Sequence, residues 1–201
     1  DLSLQAEVDA LFASVMAHYG RIDVLINVAG FDHDSGLPLE KITLERLHKN
    51  VDTNLTTCFL CCQAAAKIMK EQKGGAIVNM SSLTWRGSPM QFSYSAAKGG
   101  LRNASIAAAI EWRKGGVAVT VISPDLVDTP VLTERLDSAG EEAALAFTGV
   151  TLTVFDLEKA FWKAMREEPL EINLPRWRGW LTKLNDLIPS IMFLLYDDMK
   201  K

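Results

Sequence analysis

Leu4, Val8, Leu11, Phe12, Val15 and Met16 recur three and four positions apart, which is the spacing of one face of a helix, and Gly20 stops that helix. Directly after it, Asp23-Val24-Leu25-Ile26-Asn27-Val28 is a short apolar run of the kind that forms a buried strand. A loop rich in Asp, Gly and Pro follows from Phe31 to Pro38. A polar helix around Leu44 and Leu47 then leads into a long helix from about Val51 to Gln72, closed by Gly74 and Gly75. The same order repeats twice. Ala76 to Met80 is a second strand, followed by a serine-rich loop and a helix from about Ser93 to Lys114; Gly115-Gly116 leads to a third strand, Val117 to Ile122. None of these strands alternates apolar with polar residues, so both of their faces are expected to be covered. Helix and strand in strict alternation predict an α/β fold, a doubly wound parallel sheet with helices on both faces.

Beyond Pro130 the pattern loosens. The stretch 131–156, rich in Ala, Thr and Gly, is expected to be a mobile substrate loop, followed by a helix over Leu157–Glu167 and a fourth strand at Leu170–Leu174. Residues 175–201 form an apolar C-terminal extension with Trp177, Trp180, Leu181, Leu184, Leu187 and Ile188 at helical spacing. A core or subunit contact, a lid over an apolar substrate and a membrane-surface helix all fit that spacing.

Composition narrows the picture. With 48% hydrophobic and 23% charged residues among 201, the chain has the makings of one compact domain with a substantial core. A net charge of −4 offers no basic stripe for nucleic acid, which leaves a small molecule as the expected ligand. Cys58, Cys61 and Cys62 suit neither a disulfide framework nor a zinc site; they read as buried thiols in a reducing cytoplasm, and no metal site is expected. The apolar run from Leu187 to Tyr196 is about half of the ~20 residues a spanning helix needs, so no transmembrane segment is expected, nor is a signal peptide seen. The start at Asp1, without methionine and almost inside an amphipathic helix, suggests a fragment.

Tyr94 and Lys98 lie four positions apart at the start of the third long helix, on one helix face. A free phenol, with a pKa of about 10, is a poor base at neutral pH, but a neighbouring ammonium favours the phenolate. Alone, a pair at this spacing is more often a solvated surface contact than a site. Its neighbours add weight. Ser81 and Ser82 follow the second strand at its carboxyl end, where open α/β sheets bind ligands. Asn54 sits mid-helix, an unfavourable place unless its amide bonds something specific. Asn27-Val28-Ala29-Gly30 closes the first strand in small residues that admit a flat ligand, and Pro124, Thr129 and Pro130 mark the loop after the third. Each of these clusters follows a successive strand or lines the helix beside it.

With these motifs in this order, from Asp1 to about Pro130, the chain closely resembles the short-chain dehydrogenase/reductase family. Asn27 to Gly30 matches its Asn-x-Ala-Gly motif, Asn54 its helix asparagine, Ser82 its strand-end serine, Tyr94 to Lys98 its Tyr-x-x-x-Lys, and Pro124 to Thr129 its Pro-Gly-x-x-x-Thr loop. The resemblance implies an NAD- or NADP-dependent oxidoreductase that interconverts a secondary alcohol and a ketone. In it Tyr94 exchanges the proton, Lys98 lowers the tyrosine pKa and holds the nicotinamide ribose, Ser82 polarises the substrate oxygen, and Asn54 anchors a water leading from Lys98 to solvent. Asn27, Ala29, Gly30, Tyr94, Lys98, Pro124, Val127 and Thr129 would border the cofactor. It implies too a homodimer or homotetramer built on the two long helices, where Ala64-Ala65-Ala66 and Ala107-Ala108-Ala109 would permit close approach.

The departures from the family pattern are specific. The Gly-rich turn Thr-Gly-x-x-x-Gly-x-Gly that opens family members has no match in the chain, and Asp1 resembles the point just after the family's third strand. The first three strands of the family fold are therefore expected to be lacking, leaving Asp23–Val28 as an exposed apolar edge. Asp125 stands where the family has glycine, bringing a negative charge toward the cofactor's pyrophosphate. Ser82 and Tyr94 are twelve positions apart, one fewer than is usual in the family, which keeps Ser81 as a rival for the catalytic serine. An inactive or regulatory relative unable to bind cofactor, or a non-redox enzyme on the same scaffold, stays open beside the oxidoreductase. A fatty, steroid-like or keto-acyl substrate is suggested by the apolar tail and loop.

Overall fold

The computed structural model describes residues 1–130 and 151–180. Their elements run α1 (Gln5–Tyr19), β1 (Val24–Asn27), α2 (Leu44–Val51), α3 (Thr57–Gln72), β2 (Gly75–Met80), α4 (Phe92–Trp112), β3 (Val117–Pro124), α5 (Val154–Glu167) and β4 (Glu171–Leu174). The four strands form one parallel sheet in the order β1-β2-β3-β4. This is the expected α/β arrangement, with the fourth strand included.

Side chains on a strand alternate between faces, and β2 uses both. Ile77 enters a core with Val8 and Phe12 of α1, Cys58, Cys61, Cys62, Ala65, Ala66 and Met69 of α3, and Leu101 of α4. Val78 and Met80 point the other way, into a second core with Ile122, Ile172 and the small Ala160 and Ala164 of α5. Helices therefore cover both faces, and β2 and β3 are almost wholly buried.

Edge strand β1 behaves differently. It pairs with β2 on one side only, and Val24, Ile26 and Val28 remain 40%, 41% and 52% exposed. The apolar edge expected from the sequence is present among the described residues. Helix α1 lines the same side of the sheet and ends in Gly20, whose φ of 71° is the left-handed conformation that closes a helix.

Two boundaries depart from expectation, each for a local reason. The long helix from Val51 is not uniform: Asp52–Thr56 is a π-turn between α2 and α3, and Asn54 lies within it. Helix α5 starts three residues before Leu157, because Thr153 and Asp156 form a reciprocal capping box; Thr153 N–H donates to Asp156 Oδ2 at 2.9 Å and Asp156 N–H to Thr153 Oγ1 at 3.3 Å. The end of the expected substrate loop, 154–156, is thus the first turn of a helix, and its part over 131–150 lies outside the described residues. Of the C-terminal extension, residues 176–180 are helical and 181–201 lie outside the description. Among the described residues no helix is long and apolar enough to cross a membrane, and no group of three acidic, His or Cys side chains is placed to hold a metal.

Candidate active site

Helix α4 carries Tyr94 in its first turn and Lys98 one turn later. The Lys98 side chain runs back under the sheet end: it is 2% exposed, and its Nζ donates to the carbonyl of Met80, the last residue of β2, at 2.9 Å. The same Nζ lies 5.6 Å from the centre of the half-buried Tyr94 ring. Burial penalises the ammonium and pushes its pKa from the ordinary 10.5 down to about 8, against a smaller opposing pull from Cys58.

That shift carries a sign that can be tested. Between about pH 8 and 10.5 the unfolded chain holds the Lys98 proton and the folded chain has released it. Folding stability contributed by this group therefore rises with pH across that window, and its penalty is complete below it. At about 1.4 kcal/mol per pH unit the difference is roughly 3 kcal/mol. Urea unfolding of the wild type and of Lys98→Met should show it as a slope present in the first and missing from the second; parallel profiles would contradict the buried ammonium.

Asn54 explains the π-turn around it. It is fully buried, and its Nδ2 donates to the carbonyls of Phe31, at 2.7 Å, and Asn50, at 2.9 Å, while its Oδ1 accepts from Phe31 N–H at 3.2 Å. The amide thus clamps both backbone polar groups of Phe31, its N–H and its carbonyl, and holds the loop after β1 against α2. Both amide hydrogens are used; only the second lone pair of Oδ1 is left to hold a water. Gly30 sits over this junction. A Cβ there would stand 2.7 Å from Asn54 Oδ1 and 2.9 Å from Lys98 Nζ, so the absence of a side chain lets these two groups converge.

The two serines separate by what they bond. Ser81 is 3% exposed and its hydroxyl donates to the Lys98 carbonyl at 2.9 Å, so it ties β2 to α4. Ser82, half-buried and extended, accepts from Thr84 N–H at 3.3 Å and keeps its own O–H for another partner. The next residues wrap Trp85 between two guanidiniums, Arg86 at 4.3 Å and Arg102 at 3.9 Å from the ring centre. Arg102 in turn grips Glu171 of β4 with two nitrogens, Nε to Oε1 at 2.5 Å and Nη2 to Oε2 at 3.0 Å.

Asn27 faces inward rather than toward the strand mouth. Its Nδ2 donates to Asn79 Oδ1 at 2.8 Å and to Cys62 Sγ at 3.3 Å, and Asn79 continues to Ser105 at 2.9 Å. A buried polar chain therefore links β1, β2, α3 and α4 and gives Cys58 and Cys62 partners. The hydrogen bond with Cys62 and burial push the Cys58 thiol well above the ordinary range, so it is inert packing. All three cysteines are free and buried, as the sequence suggested.

Pro124, the last residue of β3, is buried; past it Val127 pairs with Leu152 in an isolated bridge, and Thr129 is half-buried. Asp125 does not stand as an isolated charge. Its carboxylate pairs with Arg178, and its N–H donates to the Leu174 carbonyl at 2.8 Å. Burial raises the carboxyl's pKa and Arg178 opposes the rise. The negative charge expected to face a pyrophosphate is thus offset by a residue 53 positions away, which a glycine-to-aspartate comparison cannot reveal. Ala65 and Ala66, expected to permit contact between subunits, are at 0% and 3% exposure within the chain's own core; the exposed large apolar side chains on α3 and α4 are Phe59, Phe92 and Ile110.

The structure brings Gly30, Asn54 and Lys98 into direct contact at the carboxyl ends of parallel strands, with Tyr94 beside Lys98 and Ser82 at the end of β2. That is the ligand edge of a doubly wound α/β domain, with a phenol and an ammonium side by side at it. The chain belongs to the short-chain dehydrogenase family, whose model matches residues 1–139. A 3-oxoacyl-[acyl-carrier-protein] reductase of a Synechocystis strain is 38% identical over 133 residues, 66% of this chain and 53% of that protein. A 3beta-hydroxysteroid dehydrogenase of Mediterraneibacter gnavus is 38% identical over 136 residues, 67% of this chain and 48% of its own length. The chain spans about half the length of the curated relatives it matches. Among solved structures, ElxO with NADP bound superposes with a TM-score of 0.78 at 24% identity, covering 87% of this chain and 74% of that one. That likeness establishes the fold.

Proposed function

We propose that the protein is an NAD- or NADP-dependent oxidoreductase interconverting a secondary alcohol and a ketone, with Tyr94 as the general acid and base. The observation that carries this reading is the Lys98 ammonium, buried at the end of β2 and held beside the Tyr94 ring. A dehydrated cation next to a phenol lowers the energy of the phenolate and makes proton exchange feasible near neutral pH. The relatives named as reductases and dehydrogenases support the same chemistry, and the NADP-bound structural relative supports the cofactor class.

The residues present fit the nicotinamide end of such a cofactor. Ala29 and Gly30 are exposed after the end of β1 with no bulky side chain of their own, Lys98 Nζ approaches Gly30, and Ser82 follows the neighbouring strand β2. When bound, the cofactor supplies or accepts the hydride. Tyr94 gives its proton to the substrate oxygen in the reducing direction and recovers it in the oxidising one. Ser82 donates to the same oxygen as charge develops there. Lys98 would lower the pKa of the phenol and hold the ribose. Pro124, Val127 and Thr129 would border the carboxamide side.

The three reduced, buried thiols agree with a cytoplasmic setting. Assembly into a dimer or tetramer through the outer faces of α3 and α4 would cover Phe59 and Ile110, 54% and 73% exposed in the isolated chain. The pairing of Asp125 with Arg178 removes one ground for an inactive relative.

The test is isotopic and uses the full-length protein. Reduction of ketones from the acyl-thioester and steroid classes with NADH or NADPH deuterated at C4 should place deuterium on the new carbinol carbon. Turnover without label in the product would assign non-redox chemistry; no change in cofactor fluorescence on titration would assign an inactive protein.

A further inference from the structure

Two carboxylates in the loop after β1 take no part in the chemistry above, yet Asp32 and Asp34 are 4% and 1% exposed. Both reach across to the start of α4, 59 positions later in the chain. Asp34 Oδ2 accepts from Ser93 N–H at 3.1 Å, and its Oδ1 accepts from Asn50 Nδ2 of α2 at 2.9 Å. Asp32 Oδ2 accepts from Gln91 Nε2 at 2.6 Å, and its Oδ1 accepts from Asp34 N–H at 3.1 Å. Asn50 closes the arrangement by accepting from His33 N–H at 3.2 Å.

Helix α4 needs this help. Its N-cap residue, Gln91, makes no side-chain cap, because the Gln91 amide is turned to Asp32. The preceding Met90 has a φ of 59°, an uncommon conformation for a residue with a side chain, and its carbonyl accepts from Gly36 N–H at 3.0 Å. The first-turn N–H groups of a helix lack partners within it and attract negative charge. Asp34 supplies both an acceptor and a charge to the N–H of Ser93, the residue immediately before Tyr94.

We infer that Asp34 is a positioning residue for Tyr94: by capping α4 from the loop after β1 it fixes the helix turn that holds the phenol beside Lys98. The inference rests on the reading of Tyr94 and Lys98 as the proton-transfer pair. Asp34 touches no substrate. It acts through the Ser93 backbone, and the same loop carries Gly30, so one tether joins the strand-end trough to the acid. Lys98, on the same helix, is the cation placed against the phenol ring; Asp32 and Asp34 with His33 from the loop, and Arg46 of α2, which donates to the His33 carbonyl, stand around the start of that helix.

The readout is the ionisation of Tyr94 followed by tyrosinate absorbance, which needs neither cofactor nor substrate. The chain has three tyrosines, so each protein is compared with its own Tyr94→Phe counterpart and the difference isolates residue 94. The wild-type difference should show a midpoint below the ~10 of a free phenol. Asp34→Ala should raise that midpoint by at least about one unit, since a frayed first turn takes the ring out of the Lys98 field, and should lower kcat at least tenfold with KM for the cofactor within twofold. Asp34→Asn, which keeps the volume and one acceptor, should give a smaller shift in the same direction and restore part of kcat; if the alanine variant does not fold, the asparagine variant decides. A wild-type midpoint at or above that of free tyrosine would overturn the Tyr94–Lys98 reading. A lowered wild-type midpoint that a folded Asp34 variant leaves unchanged would overturn the role of Asp34 alone.

Discussion

Tyr94→Phe is expected to lower kcat by about 10²- to 10⁴-fold, the range over which a positioned general acid contributes, while cofactor affinity changes by no more than a few fold. The ring stays, so its packing over Lys98 survives; only the hydroxyl that exchanges the proton is lost. Lys98 keeps its bond to the Met80 carbonyl, and the strand ends that border the cofactor are untouched. Separate measurement of cofactor binding by fluorescence and of single-turnover reduction distinguishes the two effects. Near-normal turnover in the phenylalanine variant would mean that another group moves the proton.

Gly30→Ala is expected to be the most damaging single methyl group in the site. Contacts of 2.7 Å to Asn54 Oδ1 and 2.9 Å to Lys98 Nζ are shorter than carbon tolerates, and neither neighbour can withdraw freely. Asn54 would have to release the Phe31 backbone, or Lys98 the Met80 carbonyl, each leaving a buried polar group without its partner. One such loss costs about 1–3 kcal/mol, more for a charged group, so stability should fall by about 2–4 kcal/mol and activity with it. Gly74→Ala provides the control: nothing lies within 4 Å of a Cβ there, and its unfolding midpoint should match the wild type within about 0.5 kcal/mol. Equal effects at the two glycines would show that Lys98 and Asn54 are not held as described.

How much of this was legible in the sequence depended on the range of the interaction that decides each residue. Strands β1 to β3 and the helices between them were readable because apolar runs and helical spacing are local, and Tyr94 with Lys98 because four positions on a helix is a local distance. The choice between Ser81 and Ser82 was not, since both are small hydroxyls after one strand; it is the contact of Ser81 with a carbonyl 17 positions on that leaves Ser82 its donor. Asp125 looked like an isolated charge because Arg178, its partner, belongs to another element. Ala65 and Ala66 looked available because a run of alanines does not say which side of its helix meets the sheet. Asp34 passed unremarked in a loop expected to be polar, because the helix was expected to start at about Ser93, itself a residue that caps helices; only with the N-cap at Gln91 is that helix end left without a cap of its own.

The grip of Arg102 on Glu171 has a consequence for the reacting end of the molecule. Arg102 lies eight positions beyond Tyr94 on α4, and its bidentate hold on a neighbouring strand fixes the rotational phase of that helix. A helix turns by about 100° per residue. If it slipped by one residue in its seat, the phenol would swing through about that angle, away from the strand ends, while every hydrogen bond inside the helix stayed intact. An ion pair on the far flank therefore acts as an index pin, setting the direction in which the acid points.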